Sequence, residues 1–283
     1  MTMERKIERY CVPGTVEEAV EAISGKDATL FAGGTDLMVQ TRSGKRPFTP
    51  LLVNISRIAG LGGISTDGDR VRLGALATIS GIRTSALLKE KAGVLTEAAD
   101  SFAGDQVRNK ATVGGNICNA SPAGDMIVPL LLLDAEVELA STAGRRMLPL
   151  CNFFTGPGKT RRERNELLTA IYFPIPPVGF AAGFRKFGTR PAMDISIVSV
   201  GVAATRDDAG WKNVRAAFGA VAPTPIRGTR TEAAIEKGGT AGEIARIAES
   251  EVSPISDVRA SAWYRKELIR TLTERLHHDV FET

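Results

Sequence analysis

Histidine and cysteine are both scarce in this chain, and each shortage excludes a kind of chemistry. The two histidines, His277 and His278, stand together near the end of the last predicted helix. A histidine-based triad and a multi-histidine metal site are therefore excluded. Exposed helix-end side chains are the simpler reading, because the C-terminal end of a helix favours them. The three cysteines, Cys11, Cys118 and Cys151, lie too far apart for a zinc or iron–sulfur pattern. Their odd number argues against a disulfide framework, and a reducing cytoplasm is the setting that fits. No apolar run approaches the roughly 20 residues that a membrane span needs; the longest, 127–133, contains Pro129. The N-terminal six residues lead into no apolar signal core. Strong charge is missing too. A net charge of +4 is dispersed, with small clusters at 42–46 and 161–164. Without a basic stripe and interleaved aromatics, nucleic-acid binding is not expected. The clusters read as solvated surface, with a partner interface as the second reading.

Two nucleotide fingerprints are also absent. No Gly-x-Gly-x-x-Gly follows a strand, so a Rossmann-type site is not supported. Gly158-Lys159-Thr160 has the ending of a P-loop, but Phe153 occupies the position of its required first glycine. What remains is an ordinary globular composition, 43% apolar and 24% charged, in a chain of 283 residues that can hold two domains.

The informative stretch runs over 102–125. It shows neither helical nor strand periodicity, and is rich in small residues, hydroxyls and amides. Gly114 and Gly115 let the backbone approach a ligand closely, and consecutive N–H groups in such a turn can form an anion-binding nest. Thr112, Asn116, Asn119 and Ser121 add hydrogen-bonding groups, and Asp125 adds a carboxylate. A shorter loop, Ala32-Gly33-Gly34-Thr35-Asp36, has the same chemistry and follows the apolar segment 28–31. Together they suggest one phosphorylated ligand gripped from two sides. Taken singly, each is also compatible with an ordinary turn, and the chain has two further glycine pairs, Gly62-Gly63 and Gly238-Gly239.

The ordered string is more specific. Gln106-Val-Arg-Asn109, Thr112-Val-Gly-Gly-Asn116 and Ser121-Pro-x-x-Asp125, with the Ala32–Asp36 loop about 80 residues upstream, resemble the flavin-binding subunit of molybdenum hydroxylases. That group includes xanthine dehydrogenase and carbon monoxide dehydrogenase, and the resemblance covers essentially the whole chain. It implies FAD, held non-covalently between two N-terminal subdomains. The residues it assigns to the cofactor are Leu30, Phe31, Ala32, Gly33, Gly34, Thr35, Asp36 and Leu37 around the pyrophosphate. Thr112, Val113, Gly114, Gly115 and Asn116 form a second clamp, with Cys118 near the isoalloxazine. Asp125 accepts a hydrogen bond from the cofactor, and Phe102 packs near its adenosine end. Leu168 lies against the flavin. Lys186, which opens Lys186-x-x-x-Arg190-x-x-x-Asp194, lines its site; a surface cation is the alternative for that lysine. Histidine scarcity also removes a histidyl-linked flavin from the N-terminal region. For Cys118 a small apolar role is as good as any redox role.

The implied fold is α+β. A two-part FAD-binding domain of the PCMH type spans 1–176, with subdomains of about 1–57 and 58–176. A smaller α+β domain, a three-stranded antiparallel sheet with helices, spans 177–283. The proline cluster Pro174, Pro176 and Pro177 marks the boundary. The implied function is electron transfer. A large molybdopterin-containing subunit and a small iron–sulfur subunit carry the other cofactors, in a dimer of heterotrimers. This FAD passes electrons from two-iron clusters to NAD, a quinone or O2. The alternatives are a stand-alone non-covalent flavin oxidase or reductase, and a non-catalytic nucleotide sensor or assembly factor. The organic substrate is not legible, since substrate choice belongs to the molybdenum subunit.

Overall fold

A computed structural model describes residues 7–190, 192–208 and 210–282. The six residues read as leading into no signal core lie outside them. The first subdomain comprises β1 (Arg9–Cys11), α1 (Val16–Ile23), β2 (Ala28–Phe31), α2 (Leu37–Arg42) and β3 (Leu51–Asn54). Its strands form a parallel sheet in the order β1-β3-β2. Thr15 caps α1 by accepting the Glu18 N–H at 3.1 Å, as its sequence pattern suggests. The Glu18 carboxylate reaches one residue further back than a capping box predicts, to the Gly14 N–H at 2.7 Å. Ala19, Val20 and Ile23 then bury one face of α1 against Leu51 and Val53.

The second subdomain begins with the hairpin β4 (Ile64–Asp67) and β5 (Arg70–Gly74). Six helices follow: α3 (Ile79–Thr84), α4 (Ala86–Lys91), α5 (Gly93–Asp100), α6 (Asp105–Arg108), α7 (Val113–Asn119) and α8 (Ile127–Leu132). Five strands complete it: β6 (Glu136–Ser141), β7 (Gly144–Pro149), β8 (Phe154–Gly156), β9 (Lys159–Thr160) and β10 (Leu167–Pro174). The main sheet is antiparallel in the order β4-β5-β10-β6-β7. One sequence expectation is corrected here. The stretch 102–125 is not free of helix, because α6 and α7 lie within it.

The C-terminal domain has β11 (Phe180–Phe187), β12 (Val198–Asp207), β13 (Gly210–Gly219) and β14 (Ile226–Arg227), then α9 (Thr229–Glu236), α10 (Ala241–Glu251) and α11 (Ala262–Phe281). The expected three-stranded antiparallel sheet is present, extended by the two-residue β14. Both of its faces are covered. Val198, Val200, Val202 and Phe218 pack on the C-terminal helices, including Leu268, Leu272 and Leu276 of α11. The opposite face carries small residues, and α8 lies close against it: a Cβ at Gly201 would sit 2.7 Å from a Leu132 methyl. Of the two histidines, His278 is exposed. His277 packs instead edge-on against Phe281, with centroids 5.2 Å apart, because its helix turn faces the domain core. Among the described residues no helix is long and apolar enough to cross a membrane.

Candidate cofactor-binding site

A cavity of about 510 Å³ opens where the two subdomains and the first loop of the C-terminal domain meet. The loop after β2 forms one wall. β2 is an edge strand paired only with β3, so the chain is free to turn at Ala32. Gly33 is required by crowding: a Cβ there would lie 1.8 Å from the Lys110 carbonyl oxygen. Gly34 is required by conformation, at φ +70°, with the Phe31 ring packed beneath it. Helix α2 starts next, with Met38 N–H donating to Gly34 O at 3.1 Å. The N–H groups from Gly33 to Leu37 donate to no protein acceptor among the described residues. Consecutive unsatisfied amides at a helix start make an anion cradle, since each presents a partial positive charge.

The second glycine pair does different work from the one expected. Thr112 is the extended N-cap of α7, and its Oγ1 accepts the Gly115 N–H at 3.1 Å. The Gly114 N–H donates to Ala75 O at 2.9 Å, and that of Val113 to Ala77 O at 3.0 Å. These amides are spent inside the protein, so they form no open nest. Gly114 is small for packing, because a Cβ would lie 2.7 Å from Ala75 O. The pair thus lets α7 sit hard against the β5–α3 turn and presents Gly115, Asn116 and Cys118 to the cavity. Asn116 Oδ1 also accepts the Met126 N–H at 3.3 Å, fixing the chain that carries Asp125. Burial pushes the Cys118 thiol up, against the pull of Arg162 and Arg46. That is the setting of an inert thiol rather than a reactive one.

Asp125 and Lys186 meet across the domain boundary. Lys186 Nζ, from β11, donates to Asp125 Oδ2 at 2.6 Å, to Asp194 O at 2.9 Å and to Ser101 O at 3.2 Å. Both side chains are about nine-tenths buried, at 8% and 10% exposure. Ser196 Oγ donates to the other carboxylate oxygen at 2.5 Å. Burial pushes the Asp125 carboxyl up, while the Lys186 ammonium and the Ser196 hydroxyl pull it back. All three ammonium donors are committed, so Lys186 lies behind the wall and is not the surface cation of the alternative reading. The Asp194 carboxylate accepts N–H bonds from Thr189, Arg190 and Ile195 and so shapes the loop above.

Of the other expected residues, Leu30, Ala32, Thr35, Asp36, Phe102 and Leu168 all face the cavity. Phe31 and Val113 support it from behind. Sequence reasoning missed Arg46, Arg162, Met193 and Ile195, which also line it. The two arginines belong to the clusters read as solvated surface; only the three-dimensional arrangement turns one member of each inward. Gln40, also missed, donates from α2 to the Asn119 side chain at 2.9 Å and ties the two loop systems together.

An amide cradle at a helix start, a close-packed glycine turn opposite and a buried inter-domain ion pair define a two-domain nucleotide-cofactor carrier. The family described as "FAD binding domain in molybdopterin dehydrogenase" matches residues 4–176, and "CO dehydrogenase flavoprotein C-terminal domain" matches 183–280. The chain is 35% identical over 274 residues to the xanthine dehydrogenase FAD-binding subunit of Escherichia coli O157:H7, with 94% of each chain covered. It is 32% identical over 277 residues to the carbon monoxide dehydrogenase medium chain of Afipia carboxidovorans, again with 94% of each covered. A solved carbon monoxide dehydrogenase from Hydrogenophaga pseudoflava superposes with a TM-score of 0.89 at 28% identity, over 95% of both chains. The chain belongs to the FAD-binding subunits of the xanthine and carbon monoxide dehydrogenase family of molybdenum hydroxylases. It is therefore an oxidoreductase subunit, and its cofactor is FAD.

Proposed function

We propose that this chain is the electron-transfer subunit of a heteromeric molybdenum hydroxylase, and that the cavity between its subdomains is the FAD site. The observation that carries the site assignment is the row of unpartnered amides from Gly33 to Leu37 along the cavity wall. Such a row suits the pyrophosphate of a dinucleotide. Leu30 and Ala32 support that loop, and Thr35 and Asp36 add side-chain contacts. Gly115 and Asn116 offer a surface that the cofactor can approach closely. Phe102 and Leu168 give it apolar contact. Asp125 accepts a hydrogen bond from the cofactor with an oxygen lone pair that Ser196 and Lys186 leave available. Lys186 acts through Asp125 rather than by direct contact, because its donors are already used. Bound there, FAD supplies the redox chemistry between two-iron clusters of a small partner subunit and an external acceptor such as NAD, a quinone or O2. The protein's part is to hold the cofactor, exclude water from it and fix the charges around it.

The names of the relatives, medium chains and FAD-binding subunits, support an assembly with a large molybdopterin-containing subunit and a small iron–sulfur subunit. A dimer of such heterotrimers is the expected assembly. Purification of the tagged chain from its native host, with an absorbance spectrum and metal analysis, tests this. Flavin together with molybdenum, iron and two further subunits is the expected result. Folded protein without flavin would overturn the cofactor site. Flavin on a solitary chain that turns over an organic substrate would replace the subunit reading with that of a free-standing oxidase.

A further inference from the structure

Five charged side chains line the cavity, Asp36, Arg46, Asp125, Arg162 and Asp194, and their partners divide them sharply. Asp36 accepts a hydrogen bond from the Gln40 amide. Asp125 is held by Lys186 and Ser196, and Asp194 is turned onto amides of its own loop. Neither arginine forms a salt bridge among the described residues; Arg162 acts only at longer range on the Glu166 carboxylate, which Arg146 already holds. Elsewhere arginines pair readily, as Arg146 does with Glu166 and Arg70 with Glu136.

The Arg162 guanidinium is nevertheless fixed in place, whereas Arg46 is fixed through its backbone alone. Arg162 Nη1 donates to the carbonyls of Glu163 at 3.0 Å and Glu166 at 2.6 Å. Its Nε and Nη2 have no acceptor among the described residues. Arg46 is tied to the end of α2, its N–H donating to Gln40 O at 3.3 Å and its carbonyl accepting the Thr41 hydroxyl at 2.9 Å. Helix α2 is the one whose start carries the free amides. The two guanidiniums come from distant parts of the sequence, yet both line this one cavity together with the Gly33–Leu37 loop. A cavity with its carboxylates already engaged and two guanidiniums left over selects an anion.

We propose that Arg46 and Arg162 are a phosphate-pairing jaw that acts with the Gly33–Leu37 amides on the dinucleotide pyrophosphate, and so sets the preference for phosphorylated flavin over riboflavin. This rests on the reading of the cavity as the FAD site. The test is calorimetric titration of the full-length apoprotein with FAD, ADP, riboflavin and adenosine at low and raised salt, repeated for Arg46→Gln, Arg162→Gln and the double variant. Each single variant should bind FAD and ADP roughly tenfold or more weakly, with a shallower salt dependence, because a charge-assisted contact is lost. Riboflavin and adenosine binding should not change, and Arg162→Lys should restore part of the ADP affinity. Wild-type affinities and salt dependence in the double variant would overturn the proposal. So would an equal loss for riboflavin and adenosine, which signals a damaged wall. Circular dichroism separates that outcome from misfolding, and the exposed Arg46 gives a variant that retains the fold. A wild-type chain that binds no FAD would overturn the cofactor site itself, a result distinct from wild-type binding that the variants leave intact.

Discussion

A methyl group on Gly33 would collide with the Lys110 carbonyl at 1.8 Å, whereas one on Gly62 would meet nothing within 4 Å. Gly33→Ala is therefore expected to push the two loops apart, cost on the order of 1–3 kcal/mol, and abolish tight FAD binding. Gly62→Ala should be neutral or slightly stabilising. Thermal melting and flavin titration of both variants check this. The two glycine pairs look alike in the chain, and only the ordered motif around Gly33 distinguishes them. Asp257 shows residue-level control of charge. Burial raises its pKa, but the Arg259 and Ala260 amides and the Arg265 guanidinium outweigh that and hold it at about 2, below the ordinary 3.8. Its folded value is depressed, so ionised Asp257 contributes stability above a pH of about 4, lost as pH falls towards its folded pKa. Urea midpoints across that range should fall less steeply for Asp257→Asn than for the wild type. Two of its partners are amides of its own loop, but the Arg265 guanidinium reaches it from α11. Arg46 and Arg162 were illegible in the sequence: clustered arginines in polar segments look the same whether they face solvent or a cavity.

At the scale of elements, α7 depends on its cap. Thr112→Ala removes the acceptor for the Gly115 N–H and is expected to cost about 0.5–2 kcal/mol. It should weaken FAD binding as the Gly115–Cys118 surface loosens, measurable by denaturation and flavin titration. Helices with a regular apolar face were legible, as in α1 and α11, because burial alone dictates their pattern. α7 was not, since Val113-Gly-Gly-Asn116 has poor helix propensity and is held by Thr112 and by packing on Ala75. The segment from Ile79 to Lys91 holds two helices rather than one, because Ser85 ends α3 and its hydroxyl caps α4 by accepting the Leu88 N–H at 3.3 Å. β14 is only Ile226–Arg227, too short to leave a periodic trace.

For the whole molecule, the proline cluster suggests a boundary, and the two family matches cover 4–176 and 183–280. What it did not announce is how firmly the domains are joined. The Lys186–Asp125 pair spans them in near-complete burial. Lys186→Met leaves a buried carboxylate without its cation and is expected to cost about 3–5 kcal/mol, whereas the double variant Lys186→Met/Asp125→Leu should regain much of it. Urea denaturation of the three proteins decides this, and equal losses in the single and double variants would count against the pair. The small residues of the C-terminal sheet over α8 have a consequence for synthesis. Helix α8 leaves the ribosome well before Gly201 and Gly219, the positions over which Leu132 and Val128 pack. During that interval these apolar side chains have no cover, and Asp125 has no counter-ion. The chain must therefore be made as far as β13 before this face of α8 is covered, and the apolar surface is open to off-pathway contacts until then.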